Sequence, residues 1–308
     1  MKLSIVTTLY RSEKYLEEFY ERISKEAIKI TDEYEIIIVN DGSPDASVNI
    51  AISLHEKDER VVVVDLSRNF GHHKALMTGL SMAEGENIFL IDSDLEEAPE
   101  LVGEFWKAYQ EENVDVIYGV QEKRKGGCVE KVTGAAFYKF FNFVSDVKIP
   151  ENFLTVRLMS HQYVESLLQF EERELTFAAL CTLAGFVQKP LIVRKHHKGE
   201  STYDFRKKVD IIVNSVTSTS AKPLWMIFHI GFLLTLFAVA FILYTLGAKF
   251  FFSSPVSGWT SVIVSIWLLG GMTIASLGVI GIYISKIFTE TKNRPYVIVK
   301  KVYKKEGK

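Results

Sequence analysis

Residues 87–100 read NIFLIDSDLEEAPE. The run from Asn87 to Ile91 suits a strand buried on both faces, and Asp92-Ser93-Asp94 ends it abruptly with two carboxylates at alternate positions. Working outward, residues 3–9, 35–39 and 61–66 form similar runs rich in β-branched side chains. Residues 13–30, 45–56 and 73–83, which separate them, have helical spacing. On the other side, residues 99–112 read as a helix and 114–118 as a strand. This alternation predicts an α/β fold with a mostly parallel sheet covered on both faces. Ligands of such sheets bind beyond the carboxyl ends of the strands. Three of those ends are polar: Thr8-Leu9-Tyr10, Asn40-Asp41-Gly42-Ser43 and Asp92-Ser93-Asp94.

After Gly119 the pattern changes. A basic loop, QEKRKGG, leads to a helix-like stretch at 129–144, a strand at 155–159, helices at 161–168 and 173–183, and a strand at 186–193. One domain is therefore expected over residues 1–205.

The 308 residues carry 36 Lys/Arg and 38 Asp/Glu, a formal net charge of -2, but these charges are unevenly placed. Residues 1–222 hold 27 basic and 36 acidic side chains, and residues 286–308 hold eight and two. Between them, residues 223–285 contain one formal charge, Lys249. Residues 224–246 and 262–284 are each long enough to cross about 30 Å of hydrocarbon as a helix, so a two-helix transmembrane hairpin is expected. The basic residues before it (Arg206, Lys207, Lys208, Lys222) and in the tail at 286–308 predict that both termini are cytoplasmic. Residues 206–222 suit an amphipathic juxtamembrane helix.

Two cysteines, Cys128 and Cys181, exclude a disulfide framework and a cysteine zinc site. The acidic front portion lacks the footprint of a nucleic-acid binder. The apolar run at 3–9 is too short for a signal peptide, so the front domain is expected not to be exported.

Alone, a D-x-D spacing is a weak signal. Its place at a strand end, on the same edge as Asp41, gives it weight as a hard-cation site for Mg²⁺ or Mn²⁺, with Arg68, Arg124 and Lys131 as candidate phosphate partners. His72 and His73 read as helix-start and packing residues. Arg157, inside a predicted strand, calls for an anionic partner.

The ordered segments EIIIVNDGSPD, DLSRNFGHHKAL, IDSDLEEAPE, VDVIYG, RLM and GESTY resemble the motifs of family 2 glycosyltransferases that charge a polyisoprenyl phosphate. Bactoprenol glucosyltransferases and dolichyl-phosphate mannose synthase belong to that group. The likeness runs from about residue 3 through the apolar hairpin to Glu290, Lys292, Arg294 and Pro295. It implies a GT-A-like fold and an inverting hexosyltransferase on the bacterial inner membrane, taking a nucleotide sugar, UDP-linked, as donor and polyprenyl (undecaprenyl) phosphate as acceptor. Homo-oligomers, tetramers in particular, are also implied.

By the same resemblance, Thr8, Tyr10, Glu13 and Asp41 embrace the nucleoside, with the Asp41 carboxylate accepting from a uracil or guanine N–H. Ser67, Arg68 and Asn69 line the nucleotide and sugar, and Asp92 and Asp94 hold the metal. Arg157, with these two aspartates, makes up the catalytic set. Arg124 and Lys131 meet the phosphates, and Arg194, Ser201 and Tyr203 belong to a loop near the lipid phosphate. The chain departs from the family pattern at Thr155, where an Asp is usual, at His196 and Thr202, usually Arg and Lys, and at Thr8 and Arg11, usually Pro and Asn. Two other readings are a processive polysaccharide synthase and a non-catalytic carrier or scaffold. The first would need further spans and a Q-x-x-R-W motif, and intact Asp41, Asp92, Asp94 and Arg157 oppose the second.

Overall fold

The computed structural model describes residues 2–121, 150, 152–172, 177–194, 213, 216–217, 220–252 and 258–305. The chain forms two compact units. One comprises Met1–Lys139, Val147–Asp204 and Arg294–Lys308, and the other Phe140–Asp146 and Phe205–Asn293.

The first unit is built on strands β1 (Leu3–Leu9), β2 (Tyr34–Asn40), β3 (Val61–Leu66), β4 (Asn87–Leu90), β5 (Val116–Gln121), β6 (Phe153–Ser160), β7 (Gln188–Val193) and β8 (Val299–Tyr303). They form one sheet in the order β7-β5-β6-β4-β1-β2-β3-β8. β6 and β8 run antiparallel to their neighbours and the other pairings are parallel. Helices α1 (Leu16–Ile30), α2 (Ser47–Lys57), α3 (His72–Ser81) and α4 (Leu101–Glu111) connect the first five strands, while α5 (His161–Leu167) and α6 (Phe177–Leu183) follow β6.

The apolar runs explain this arrangement. Side chains alternate across each strand. Ile5, Ile36, Ile38, Val61 and Val63 therefore pack on one face with Phe19 and Ile23 of α1 and Phe105 of α4. Val6, Ile37, Val39, Val62 and Val64 pack on the other with Leu76 and Leu80 of α3 and Tyr163 of α5. Burying each such aliphatic side chain stabilises by about 1.5–3 kcal/mol, so a strand apolar on both faces is held only when helices cover both.

β8 departs from the sequence reading. Residues 286–308 look like a basic tail, but Val299–Tyr303 pair with β3, and residues 294–308 belong to the first unit. Lys304 and Lys305 pair with Glu84 and Glu59. The stretch expected as a helix at 129–144 lies outside the described residues, as does most of 206–222.

The second unit contains α7 (Lys222–Phe252) and α8 (Trp259–Thr291). Within them, Lys222–Phe241 and Leu268–Thr291, of 20 and 24 residues, are long and apolar enough to cross a membrane. Three of their hydroxyls are satisfied within the helix: Thr235 donates to Gly231 O at 2.9 Å, and Thr273 and Ser276 donate to Leu269 O and Met272 O at 2.8 Å. That pattern suits a lipid surrounding, where each unpaired polar group is costly.

Candidate active site

β4, β1, β2 and β3 are neighbours and run the same way, so the polar residues at their carboxyl ends share one edge of the sheet. The D-S-D spacing divides inside from outside. Ser93, between the carboxylates, is 2% exposed, and its hydroxyl donates to Thr8 O at 2.8 Å and lies 3.2 Å from Ser12 Oγ. The Ser12 amide in turn donates to Ser47 Oγ at 2.9 Å, which ties the β1 and β4 ends to the start of α2. Asp92 and Asp94 flank this anchor. Asp94 Oδ1 accepts from the Glu96 amide at 2.9 Å. Leu95, the next residue, has φ 60°, and Arg11, after Tyr10, has φ 58°. A branched or long side chain in this region is a strained conformation of the kind that clusters at functional sites.

His72 is the first residue of α3, as its sequence position suggests, but it also contributes to this edge. Its Nδ1 lies 3.2 Å from Thr8 Oγ1 and its Nε2 3.5 Å from Asp92 Oδ1, an atom shielded from solvent. Burial lowers the His72 pKa, against the pull of Asp41 and Asp94. The sequence signal for this placement was its position at the mouth of a β-α connection.

Asp41 is 3% exposed, and its carboxylate accepts from two backbone amides, Phe70 N at 2.7 Å and Gly71 N at 3.1 Å. Burial pushes its pKa up, and those two hydrogen bonds oppose the shift. The turn after β2 is thereby stitched to the loop after β3. Gly42, with φ 60°, presses on the same loop, where an added Cβ would lie 2.4 Å from Arg68 C and Asn69 N. Ser67 and Asn69 are exposed, and Arg68 stacks 4.1 Å from the Phe70 ring centre.

Tyr10 is 48% exposed beneath the Arg11 guanidinium. Glu13 accepts from the Ala46 amide at 3.1 Å. Asp45 links the same turns by accepting from the Ser43 and Ser47 hydroxyls and from the Ser47 and Glu13 amides. Burial raises its pKa, but these bonds outweigh burial and hold it at about 2, below an ordinary 3.8. A carboxylate with a depressed pKa stabilises the fold above its unfolded pKa and stops doing so as the pH falls through the folded one. The melting-temperature advantage of the wild type over Asp45→Asn is therefore expected to be full above about pH 4 and to vanish near pH 2. A gap that stays constant across that range would contradict this role for Asp45.

Arg157 lies on β6 opposite Leu90, the last residue of β4, and is fully buried, and among the described residues it pairs with no carboxylate. Among the described residues its guanidinium donates to Thr155 O at 3.0 Å, to Leu154 O at 3.2 Å and to the Cys181 sulfur. Phe153 and Phe177 place their ring centres 4.6 and 4.7 Å from its Cζ. Burial pushes the Cys181 thiol pKa up, against the pull of the Arg157 guanidinium. Arg194 is exposed just beyond β7, whose direction brings it to the same sheet edge. Arg124, Lys131, Ser201 and Tyr203 lie outside the described residues.

Residues 4–168 match the family described as glycosyl transferase family 2. A Mycobacterium tuberculosis protein of unproven glycosyltransferase activity is 48% identical over 98% of this chain and 89% of its own length. YkcC, an uncharacterised glycosyltransferase of Bacillus subtilis, is 34% identical over 100% of this chain and 96% of its own. The prophage-derived bactoprenol glucosyl transferase of Shigella flexneri is 31% identical over 99% of both chains.

Proposed function

Because the chain belongs to the family 2 glycosyltransferases and has their GT-A-like α/β architecture, we propose that it moves a hexose from a nucleotide sugar, UDP-linked such as UDP-glucose, to polyprenyl phosphate. One observation carries this reading. Thr8, Asp41, the Ser67-Arg68-Asn69 loop and the Asp92/Asp94 pair converge at the ends of four adjacent parallel strands. The likeness to a bactoprenol glucosyl transferase over 99% of both chains supports the lipid acceptor.

In this reading Thr8, Tyr10, Glu13 and Asp41 form the nucleoside side of the pocket, and Ser67, Arg68 and Asn69 the diphosphate and sugar side. The hard carboxylate oxygens of Asp92 and Asp94 fit a divalent cation, Mg²⁺ or Mn²⁺, which when bound supplies positive charge against the diphosphate. Arg124 and Lys131 meet the phosphates, and Arg194, Ser201 and Tyr203 belong to the loop near the lipid phosphate. An oxygen of the lipid phosphate attacks the anomeric carbon while the bond from that carbon to the donor phosphate breaks. The nucleoside diphosphate departs and the anomeric configuration inverts. The acceptor has a second pKa near 6 and arrives ionised, so Thr155 in place of a carboxylate leaves the reaction without a missing base.

The two long apolar helices, flanked by basic residues, support a place in the bacterial inner membrane with both termini cytoplasmic. There the acceptor's phosphate lies within reach of the front domain. Assembly into homo-oligomers, tetramers by family resemblance, completes the proposal.

The test is incubation of the purified full-length protein with undecaprenyl phosphate, Mg²⁺ or Mn²⁺ and a panel of nucleotide sugars. The expected result is one acid-labile glycolipid, formed from a preferred donor. Absence of product with every donor would overturn the reading.

A further inference from the structure

β8 meets β3 with an irregularity: Asp65 is opposite Lys301 and Leu66 opposite Val299, which leaves Lys300 as an extra residue between the two pairs. A bulge of this kind re-aims a side chain. Lys300 Nζ, on a side chain 68% exposed, reaches in to 3.1 Å from Asp65 Oδ2, whose side chain is only 8% exposed. The other oxygen, Asp65 Oδ1, accepts from Asn40 Nδ2 at 2.8 Å. Asn40 Oδ1 then accepts from the Ser43 amide at 3.1 Å. A carboxylate can only accept, so Asp65 decides which end of the Asn40 amide faces Ser43. Beside these contacts, Ile298 O accepts from the Ser67 amide at 2.9 Å, so the segment leading into β8 also fixes the first residue of the loop after β3.

We propose that Lys300 is a positioning residue for the donor site, acting through Asp65 and Asn40 on the Asp41-Gly42-Ser43 turn; this rests on the reading of that turn as the nucleoside side of the pocket. The exposed ammonium is the ion-pair partner of a nearly buried carboxylate, and removing it leaves that carboxylate with Asn40 but without the cation. Asp65 then turns toward water and gives up Asn40, and the Ser43 amide loses its fixed acceptor. Gly42 packs directly on Arg68 and Asn69, so a displaced turn disturbs the diphosphate side as well.

The experiment compares full-length Lys300→Met, Lys300→Arg, Asp65→Asn and Lys301→Met. Lys301 is a control on the same strand, its ammonium lying 4.4 Å from the Tyr303 ring centre. Steady-state kinetics with varied donor are paired with calorimetric binding of UDP and of GDP. Lys300→Met is expected to raise the donor KM and weaken nucleotide binding about three- to tenfold, with kcat at saturating donor within about twofold. Lys300→Arg restores the wild-type values and Lys301→Met leaves them unchanged. Asp65→Asn matches Lys300→Met, and the double variant is no worse than either alone. An unchanged donor KM in Lys300→Met, an equal loss in Lys301→Met, or a fall in kcat alone would overturn the proposal while leaving the donor-site reading intact. A wild-type protein that binds neither UDP nor GDP would instead overturn the donor-site reading, and the role of Lys300 with it.

Discussion

Asp94→Ala is expected to lower glycolipid formation roughly a hundred- to a thousandfold at saturating donor and acceptor, the scale at which a preorganised electrostatic group acts on a transition state. Asp94 sits one residue beyond the buried Ser93 anchor and just before the strained Leu95, so the backbone holds its carboxylate in place before any ligand arrives. The loss comes from charge. In the reaction proposed above, negative charge grows on the departing diphosphate, and a divalent cation held by Asp92 and Asp94 balances it. Asp94→Asn is the sharper variant, because it keeps the size and the acceptor for the Glu96 amide while removing the charge. It is expected to show nearly the same loss, with a wild-type melting temperature and a weakened Kd for Mn²⁺ measured by titration. Undiminished product from Asp94→Ala would exclude the D-S-D segment from the chemistry.

Arg157→Met should give the largest stability effect. Methionine approximates the aliphatic stem but supplies no donors, so the Thr155 and Leu154 carbonyls lose their guanidinium partners inside the protein. Phe153 and Phe177 also lose the cation between them. Each buried polar group left without a partner costs about 1–3 kcal/mol. A total near 3 kcal/mol corresponds to a fall of about 6–12 °C in the melting temperature of a domain this size, measured on the detergent-solubilised full chain. Arg157→Lys keeps the charge but cannot span both carbonyls and the thiol with one ammonium, and it should recover less than half of the loss. A melting temperature unchanged in Arg157→Met would show that the burial of this arginine contributes nothing net.

Strands β1 to β4 were legible because each is apolar on both faces, a pattern that few other local structures share. The shared edge of Thr8, Asp41 and Asp92 followed from the parallel order alone. Two features could not be read in the same way. Arg157 suggested an anion because burying a lone charge is costly, and among the described residues two ring faces, two carbonyls and a thiol surround it. Only the meeting of β6 with α6 brings Cys181 and Phe177 to that spot. β8 was missed for a different reason. VKKVY shows two lysines in five residues and looks like a solvated tail, but charged residues are common on a strand at the edge of a sheet. Its partner, β3, is far away in sequence, so no local window contains the pairing. His72 was read correctly as a helix start, while its contacts with Thr8 and Asp92 depend on how α3 docks against β1.

The pairing of β3 with β8 also sets an order of events during synthesis. β3 emerges early and is bordered by β2 on one side, while its other side waits for residues made after both long apolar helices. At about 5–20 residues per second, that wait lasts on the order of ten to fifty seconds. Throughout it the nascent domain presents a row of unmatched backbone donors and acceptors to the ribosome's surroundings, and only residues 299–303, made after both long helices, close it.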